Sequence, residues 1–276
     1  MYRGKIIRLK NLCVKSITDV IRDRYSVRSY NQGILSEEIL ENIEEYISDL
    51  DNPFNVNVRI RLIKKEKYEG VVRLGTYGVI NGANYYLVAA CENKEFGLEA
   101  IGYTFEKAIL YCTSLGLATV WLGGTFSKGD FEKTINLREN EILPVVSPIG
   151  YEGEKKSFIA SFIKENKNNR KNFSELFYNK DFNTPLNKED DEYSEALEMV
   201  RLAPSSLNSQ PWRIVKDRDS LHIYSEGKKK MNKIDIGIAL SHIDLYMKEK
   251  EIKGEFKFKA PNLKTKYKYV VSWVNI

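Results

Sequence analysis

Between Ser36 and Leu50 the chain reads SEEILENIEEYISDL, with Ile39, Ile43, Tyr46, Ile47 and Leu50 recurring at helical intervals. That spacing gathers them on one face of an α-helix, and Ser36 ahead of two glutamates suits an N-cap. Ser16–Arg24 predicts a shorter helix. VNVRIRLI, Val56 to Ile63, alternates strictly and predicts a half-buried strand. NYYLVAAC, Asn84 to Cys91, is an unbroken apolar run and predicts a buried strand. Residues 97–115 return to helical spacing and end at Gly116. LATVWLGGTF then predicts a strand running into a Gly-Gly turn, and ILPVVSPIGYEG a further strand. From Glu152 to Lys180 the chain is polar and rich in lysine and asparagine, the composition of a surface connector. Beyond it lie a predicted helix at Glu189–Arg201, stopped by Pro204, strands at PWRIVKD and SLHIYS, a helix at Ile238–Lys250 and a last strand, YKYVVSWVNI.

The second series repeats the first. AIGYTFEKAILY (Ala100–Tyr111) and DIGIALSHIDLY (Asp235–Tyr246) share Ile101/Ile236, Gly102/Gly237, Leu110/Leu245 and Tyr111/Tyr246, an offset of 236 − 101 = 135. The same order of elements on both sides of the connector predicts an internal duplication.

Composition narrows the class. The 276 residues, 42% of them hydrophobic, suffice for one large domain with a sizeable core. The net charge of +5 is dispersed among acids, as in KKEKYEG and NKEDDEYSE, which reads as solvated faces and not as a nucleic-acid stripe. Cys13, Cys91 and Cys112 form no CxxC and predict free thiols of a reducing compartment. His222 and His242 lack metal-ligand spacing and predict structural niches. No apolar run approaches membrane length and the amino terminus has no apolar signal core, so a cytoplasmic protein with no membrane partner is expected.

Three stretches carry candidate chemistry. In RDRYSVRSY an extended backbone sets Arg24, Ser26 and Arg28 on one face, two guanidiniums around a hydroxyl, fit for a phosphate or for a charged helix end. RLAPSSLNSQPWRIV crowds Pro204, Ser205, Ser206 and Asn208 between a helix and a strand, more turn-forming hydrogen-bonding groups than an ordinary connection needs. Gly123 and Gly124, after an apolar strand, leave backbone N–H groups open to a flat ligand or simply make a turn.

Together these stretches resemble the FMN-dependent nitroreductase family. Arg24, Ser26 and Arg28 match its opening Arg-x-Ser-x-Arg/Lys segment. Pro204, Ser205, Asn208, Gln210, Pro211 and Trp212 match Pro-Ser-x-x-Asn-x-Gln-Pro-Trp, the most specific part. Gly116, Leu117, Trp121, Gly123 and Gly124 match Gly-Leu-x-x-x-Trp-x-Gly-Gly, and Gly150-Tyr151 and NRKNFSELF match its closing elements. The order departs from the family's usual one, in which the Pro-Ser segment follows soon after Arg-x-Ser-x-Arg and each flavin lies between two chains. Here the first half has DLDNPFNVNVRI where the second has APSSLNSQPWRI, and the second has FYNKDF where Arg-x-Ser-x-Arg is expected. The losses are complementary, which resembles a single-chain, duplicated branch of the nitroreductases.

The resemblance implies an α+β fold with a mixed sheet surrounded by helices, and one domain of two interlocked halves forming an intramolecular pseudo-dimer: residues 1–151, a connector at 152–180, and 181–276. It implies one FMN per chain, with NADH or NADPH as co-substrate and a nitro, quinone or similar small molecule as acceptor. Arg24, Ser26, Arg28 and Arg170 would hold the phosphate and ribityl chain, Pro204, Ser205, Ser206 and Asn208 the ring edge, and the Gly123–Gly124 backbone the ring near N5. No side-chain acid or base is required. One chain is expected to suffice for the flavin site, with a homodimer still open. A non-catalytic flavin-binding or degenerate relative is the rival reading, and reductive dehalogenation or flavin breakdown on the same fold a third.

Overall fold

A computed structural model describes residues 15–68, 70, 72–153, 169–189 and 192–276. Helix α1 (Ile17–Asp23) starts at Ser16, whose hydroxyl accepts the Asp19 N–H at 3.1 Å, and α2 (Glu37–Ser48) starts at Ser36, which accepts from Ile39. Strand β1 (Val58–Lys64) pairs with β2 (Tyr85–Glu92). Helix α3 (Gly97–Ser114) follows, then β3 (Ala118–Thr119), α4 (Lys128–Thr134) and β4 (Glu141–Gly150). These strands make an antiparallel sheet in the order β1-β2-β4-β3. Along β2, Tyr85, Leu87, Ala89 and Cys91 enter one apolar cluster while Tyr86, Val88 and Ala90 enter another. A sheet covered on both faces accounts for the unbroken apolar run.

The second series begins with α5 (Phe173–Leu176) and β5 (Phe177–Asn179), then α6 (Ser194–Leu202), β6 (Trp212–Asp217), β7 (Ser220–Ser225), α7 (Lys230–Glu249), β8 (Gly254–Lys257) and β9 (Lys268–Asn275). Its sheet runs β5-β6-β7-β9-β8, parallel only between β5 and β6. Without β5 this is the order of the first sheet. Each half has its own long helix after its second common strand, and the helix ends match: Leu117 N–H reaches the Cys112 carbonyl at 3.0 Å, and Ile252 N–H the Met247 carbonyl at 2.9 Å, both pairs displaced by 252 − 117 = 135.

Helices α3 and α7 pack against each other between the two sheets, and Gly102 and Gly237 set their distance. A methyl group on Gly102 would fall on the Ile234 carbonyl, 2.9 Å from its carbon, and one on Gly237 would lie 2.7 Å from the Tyr103 nitrogen. Only glycine at both positions allows backbones this close. Ile101, Ile109, Ile236, Leu240 and Ile243, all fully buried, join one core that runs through both halves.

Several expected elements differ. The described residues form two sheets in place of one, and of these only the second is mixed. LATVWLGGTF forms a ladder only over Ala118–Thr119, with a lone bridge from Leu122 to Val146. The helix expected from Ile238 begins at Lys230, and that expected from Glu189 begins at Ser194. The connector is not wholly surface: residues 173–179 supply α5 and β5, while 154–168 and Cys13 lie outside the described residues. Phe177–Phe182 is no counterpart of Arg24–Arg28, because β5 lies beside β6, whereas Ser26 bridges Thr119 beyond β3, at the opposite edge of its own sheet.

Candidate functional site

The Arg24–Arg28 segment is extended. Arg24 caps α1 with ψ 125, Ser26 bridges Thr119 in parallel, and Val27 N–H bonds the Thr119 carbonyl at 2.9 Å. Arg24 is 6% exposed and its Nη1 has no hydrogen-bond partner. Burial lowers its pKa, and Glu106 acts in the other direction. Arg28 is half-buried and also lowered by burial.

The second half brings a polar loop toward this segment. After α6 the chain turns at Ala203 and Pro204 and makes a short 3-10 turn at Ser206–Asn208. Leu207, Asn208 and Gln210 all take the left-handed conformation, with φ of 52, 54 and 47°. Such backbone is disfavoured for residues other than glycine and needs outside support. The crowded hydroxyls and amides provide it. Ser205 Oγ accepts Gln210 N–H at 3.0 Å, Asn208 Nδ2 donates to the Asn169 carbonyl at 2.8 Å, and Gln210 Oε1 accepts Lys171 N–H at 3.0 Å. Those last two bonds grip the backbone on either side of Arg170. Asn208 Oδ1 also accepts from Gln210 Nε2, so the Asn208 amide is engaged within the chain.

Arg170 donates to the Ala203 carbonyl at 2.7 Å and to that of Leu202 at 2.9 Å, closing the carboxyl end of α6. Its Nε is buried without a partner. Burial, then repulsion from Arg24 and Arg201, brings its pKa down to about 10. A buried and a half-buried guanidinium from distant parts of the chain thus repel each other, each with an unanswered N–H. An anion between them would relieve both costs.

Near Arg24 lies a buried carboxylate. Glu106 of α3, 0% exposed, accepts from Trp121 Nε1 at 2.8 Å and meets His242 Nε2 of α7 at 3.0 Å. His242 Nδ1 faces the Met199 carbonyl at 2.8 Å, which can only accept. The line therefore ties both halves to Trp121, two residues before Gly123. A methyl on Gly123 would touch Met231 Cε at 2.7 Å, whereas nothing lies within 4 Å of one on Gly124. From α7, Asp235 accepts the Ser206 N–H at 2.9 Å. Charge interaction and hydrogen bonds so link Arg24, Arg170, Ser205, Ser206 and Asn208 with their loop and with α7, while Pro204 lies in the same loop, Ser26 and Arg28 on the Arg24 segment, and Gly123 and Gly124 just beyond Trp121.

The related position in the other half is filled. The offset of 135 puts Phe258 opposite Gly123 and Phe96 opposite Met231, and the loop alignment puts Phe54 opposite Asn208. These three rings pack against one another, with centroids 5.3–5.7 Å apart.

A family model described as "Putative TM nitroreductase" matches residues 16–247. The chain belongs to this nitroreductase family. A structure of a "putative nitroreductase" from Thermotoga maritima resembles it over 100% of this chain and 99% of that one, with 20% identity and a TM-score of 0.64, a likeness of fold. A nitroreductase family protein from Clostridium difficile matches 57% of this chain with 94% of its own, at 18% identity and a TM-score of 0.44. A nitroreductase with bound FMN from Desulfitobacterium hafniense matches 51% with 92% of its own, at 21% identity and a TM-score of 0.42. No curated protein matches. Among the described residues no helix of this nitroreductase-family protein is long and apolar enough to cross a membrane.

Two functional candidates escape motif reading. Glu106 and Asp235 sit in helices whose polar positions look like solvent faces. The repeat does mark them, since their counterparts at the 135-residue offset are Ser241 and Ala100.

Proposed function

We propose that this nitroreductase-family protein is an FMN-dependent oxidoreductase that passes hydride from NADH or NADPH to a small nitro, quinone or similar acceptor. The observation that carries this reading is the pair of guanidiniums, Arg24 buried and Arg170 half-buried, each with an unpartnered N–H, brought near each other from segments 146 residues apart (170 − 24). They fit a phosphate dianion, for which charge-assisted bonds from arginine are the usual solution.

Arg24, Arg28 and Arg170 bind the phosphate, and Ser26 the adjoining ribityl hydroxyls. Pro204, Ser205 and Ser206 line the ring edge, with Asn208 holding the Arg170 segment against them. The open space at Gly124 suits a flat ring lying on backbone. FMN, when bound, supplies the reversible hydride acceptor, and the protein orients it. Trp121, held by Glu106, anchors the chain two residues before Gly123, and the Gly123–Gly124 backbone would hold the ring. One chain provides every wall, and the three phenylalanines occupy the second position, so the stoichiometry is one FMN per chain.

The test is a visible spectrum of the purified, FMN-loaded protein under anaerobic conditions. Bleaching by NADH or NADPH, and recovery with a nitroaromatic or quinone, is the expected result, with ping-pong steady-state kinetics. A bound flavin that stays oxidised under both nucleotides reduces the protein to a flavin-binding module.

A further inference from the structure

Asp235 lies in the second turn of α7 and is 1% exposed. Its Oδ1 accepts Ser206 N–H at 2.9 Å and its Oδ2 accepts the Ser209 hydroxyl at 3.4 Å. No cation pairs with it among the described residues. The charged groups on the packed elements engage one another instead: Lys233 of α7 with Glu99 of α3 at 3.9 Å, Lys268 of β9 also acting on Glu99, and Arg201 of α6 with Glu198 at 2.6 Å. A buried carboxylate with only two hydrogen-bond donors is costly to keep. It requires a reason.

The duplication supplies a control. At the matching place in α3 stands Ala100, and the matching loop closes by itself: Asn52 donates to the Val56 carbonyl at 2.8 Å and accepts Phe54 N–H at 3.1 Å. The carboxylate occurs only where the loop is polar and left-handed at three residues. Leu207 at the tip of that loop is 99% exposed, so its side chain contributes nothing to holding the conformation. Asp235 is the side chain by which α7 holds the loop, and it binds the N–H that opens the 3-10 turn.

We infer that Asp235 is a positioning residue, a latch from α7 that keeps the Pro204–Gln210 loop in the shape that completes the flavin site. The part concerning flavin rests on the function proposed above. Burial pushes the carboxyl up to about 7, with the bonds from Ser206 and Ser209 pulling the other way. Opening the loop returns this carboxyl to water and toward its ordinary 3.8, so closure favours the protonated form and the latch loosens as pH rises through about 7.

Hydrogen exchange of the amides in peptides covering 203–211, corrected for intrinsic rates, is measured at pH 6 and pH 8 on the full chain, alongside FMN affinity by flavin fluorescence. Wild type should lose protection at pH 8. Asp235→Asn, which keeps an acceptor but cannot ionise, should hold the pH 6 level at both values. Asp235→Ala should exchange about tenfold faster at both and bind FMN about tenfold more weakly. Unchanged exchange in Asp235→Ala overturns the latch. If that variant does not fold, a pH response in Asp235→Asn equal to wild type overturns it equally. Wild type that binds no FMN removes the flavin reading, while the exchange data still decide the latch.

Discussion

Replacing Gly102 with alanine tests the contact on which the joined halves depend. In an isolated helix the change should stabilise by about 1 kcal/mol. Here the new methyl would lie 2.9 Å from the Ile234 carbonyl carbon and 3.1 Å from Gly237 Cα, against backbone that cannot rotate away. Overpacking of this kind costs roughly 1–3 kcal/mol, occasionally more. Moving α3 from α7 also stretches two buried pairs, Glu106–His242 at 3.0 Å and Lys107–Asp244 at 2.8 Å, and breaking one such pair costs about 3–5 kcal/mol. Partial separation puts the net loss at roughly 2–4 kcal/mol, or about 5–15 °C in Tm for a chain of this size. Gly237→Ala should behave alike. Gly129→Ala, in α4 with nothing within 4 Å of the added carbon, is the control and should be neutral or stabilising by up to about 1 kcal/mol. Thermal and denaturant unfolding read all three. A Gly102→Ala protein as stable as wild type would refute the clamp.

Arg24→Ala should weaken FMN binding by about ten- to a hundredfold, since a charged hydrogen bond contributes roughly 1.5–3 kcal/mol; fluorescence titration that shows unchanged affinity takes Arg24 out of the site. Absorbance against protein mass should give one FMN per chain at saturation, also at dilutions where only monomer remains, and a ratio of two would contradict the phenylalanine-filled position. For Asp235, folding raises the carboxyl from 3.8 to about 7, so its share of stability is complete below pH 3.8 and is lost as pH rises through about 7. Denaturation midpoints should therefore fall less steeply between pH 5 and pH 8 in Asp235→Asn than in wild type, and parallel slopes would count against it.

What the sequence revealed followed how local each interaction is. The stripe of α2 and the alternation of β1 depend on neighbouring residues, and both elements lie where the pattern put them. The first eight residues of α7, KMNKIDIG, lack a clear apolar period, because Asp235 and Gly237 face buried surfaces for reasons set by the other half. Lys107 is polar in sequence yet 4% exposed, paired with an aspartate 137 residues away (244 − 107). Burial and that partner act oppositely on its pKa, with burial dominant and the net direction downward. No local window contains such a partner. The motif residues are legible because each motif lies within one short segment of sequence. What the loop motif did not disclose is that Asn208 and Gln210 grip the backbone around Arg170.

The close approach of α3 and α7 also has a consequence for synthesis. Gly102 leaves the ribosome 135 residues ahead of Gly237. At about 5–20 residues per second, that separates the two helices by roughly 7–27 s. Throughout that interval the side of α3 that meets α7, with Gly102, Glu106 and Lys107, lacks its partner from the second half. The nascent first half is thus a natural client for a chaperone, and a second nascent chain offering an equivalent face is the competitor from which it must be kept.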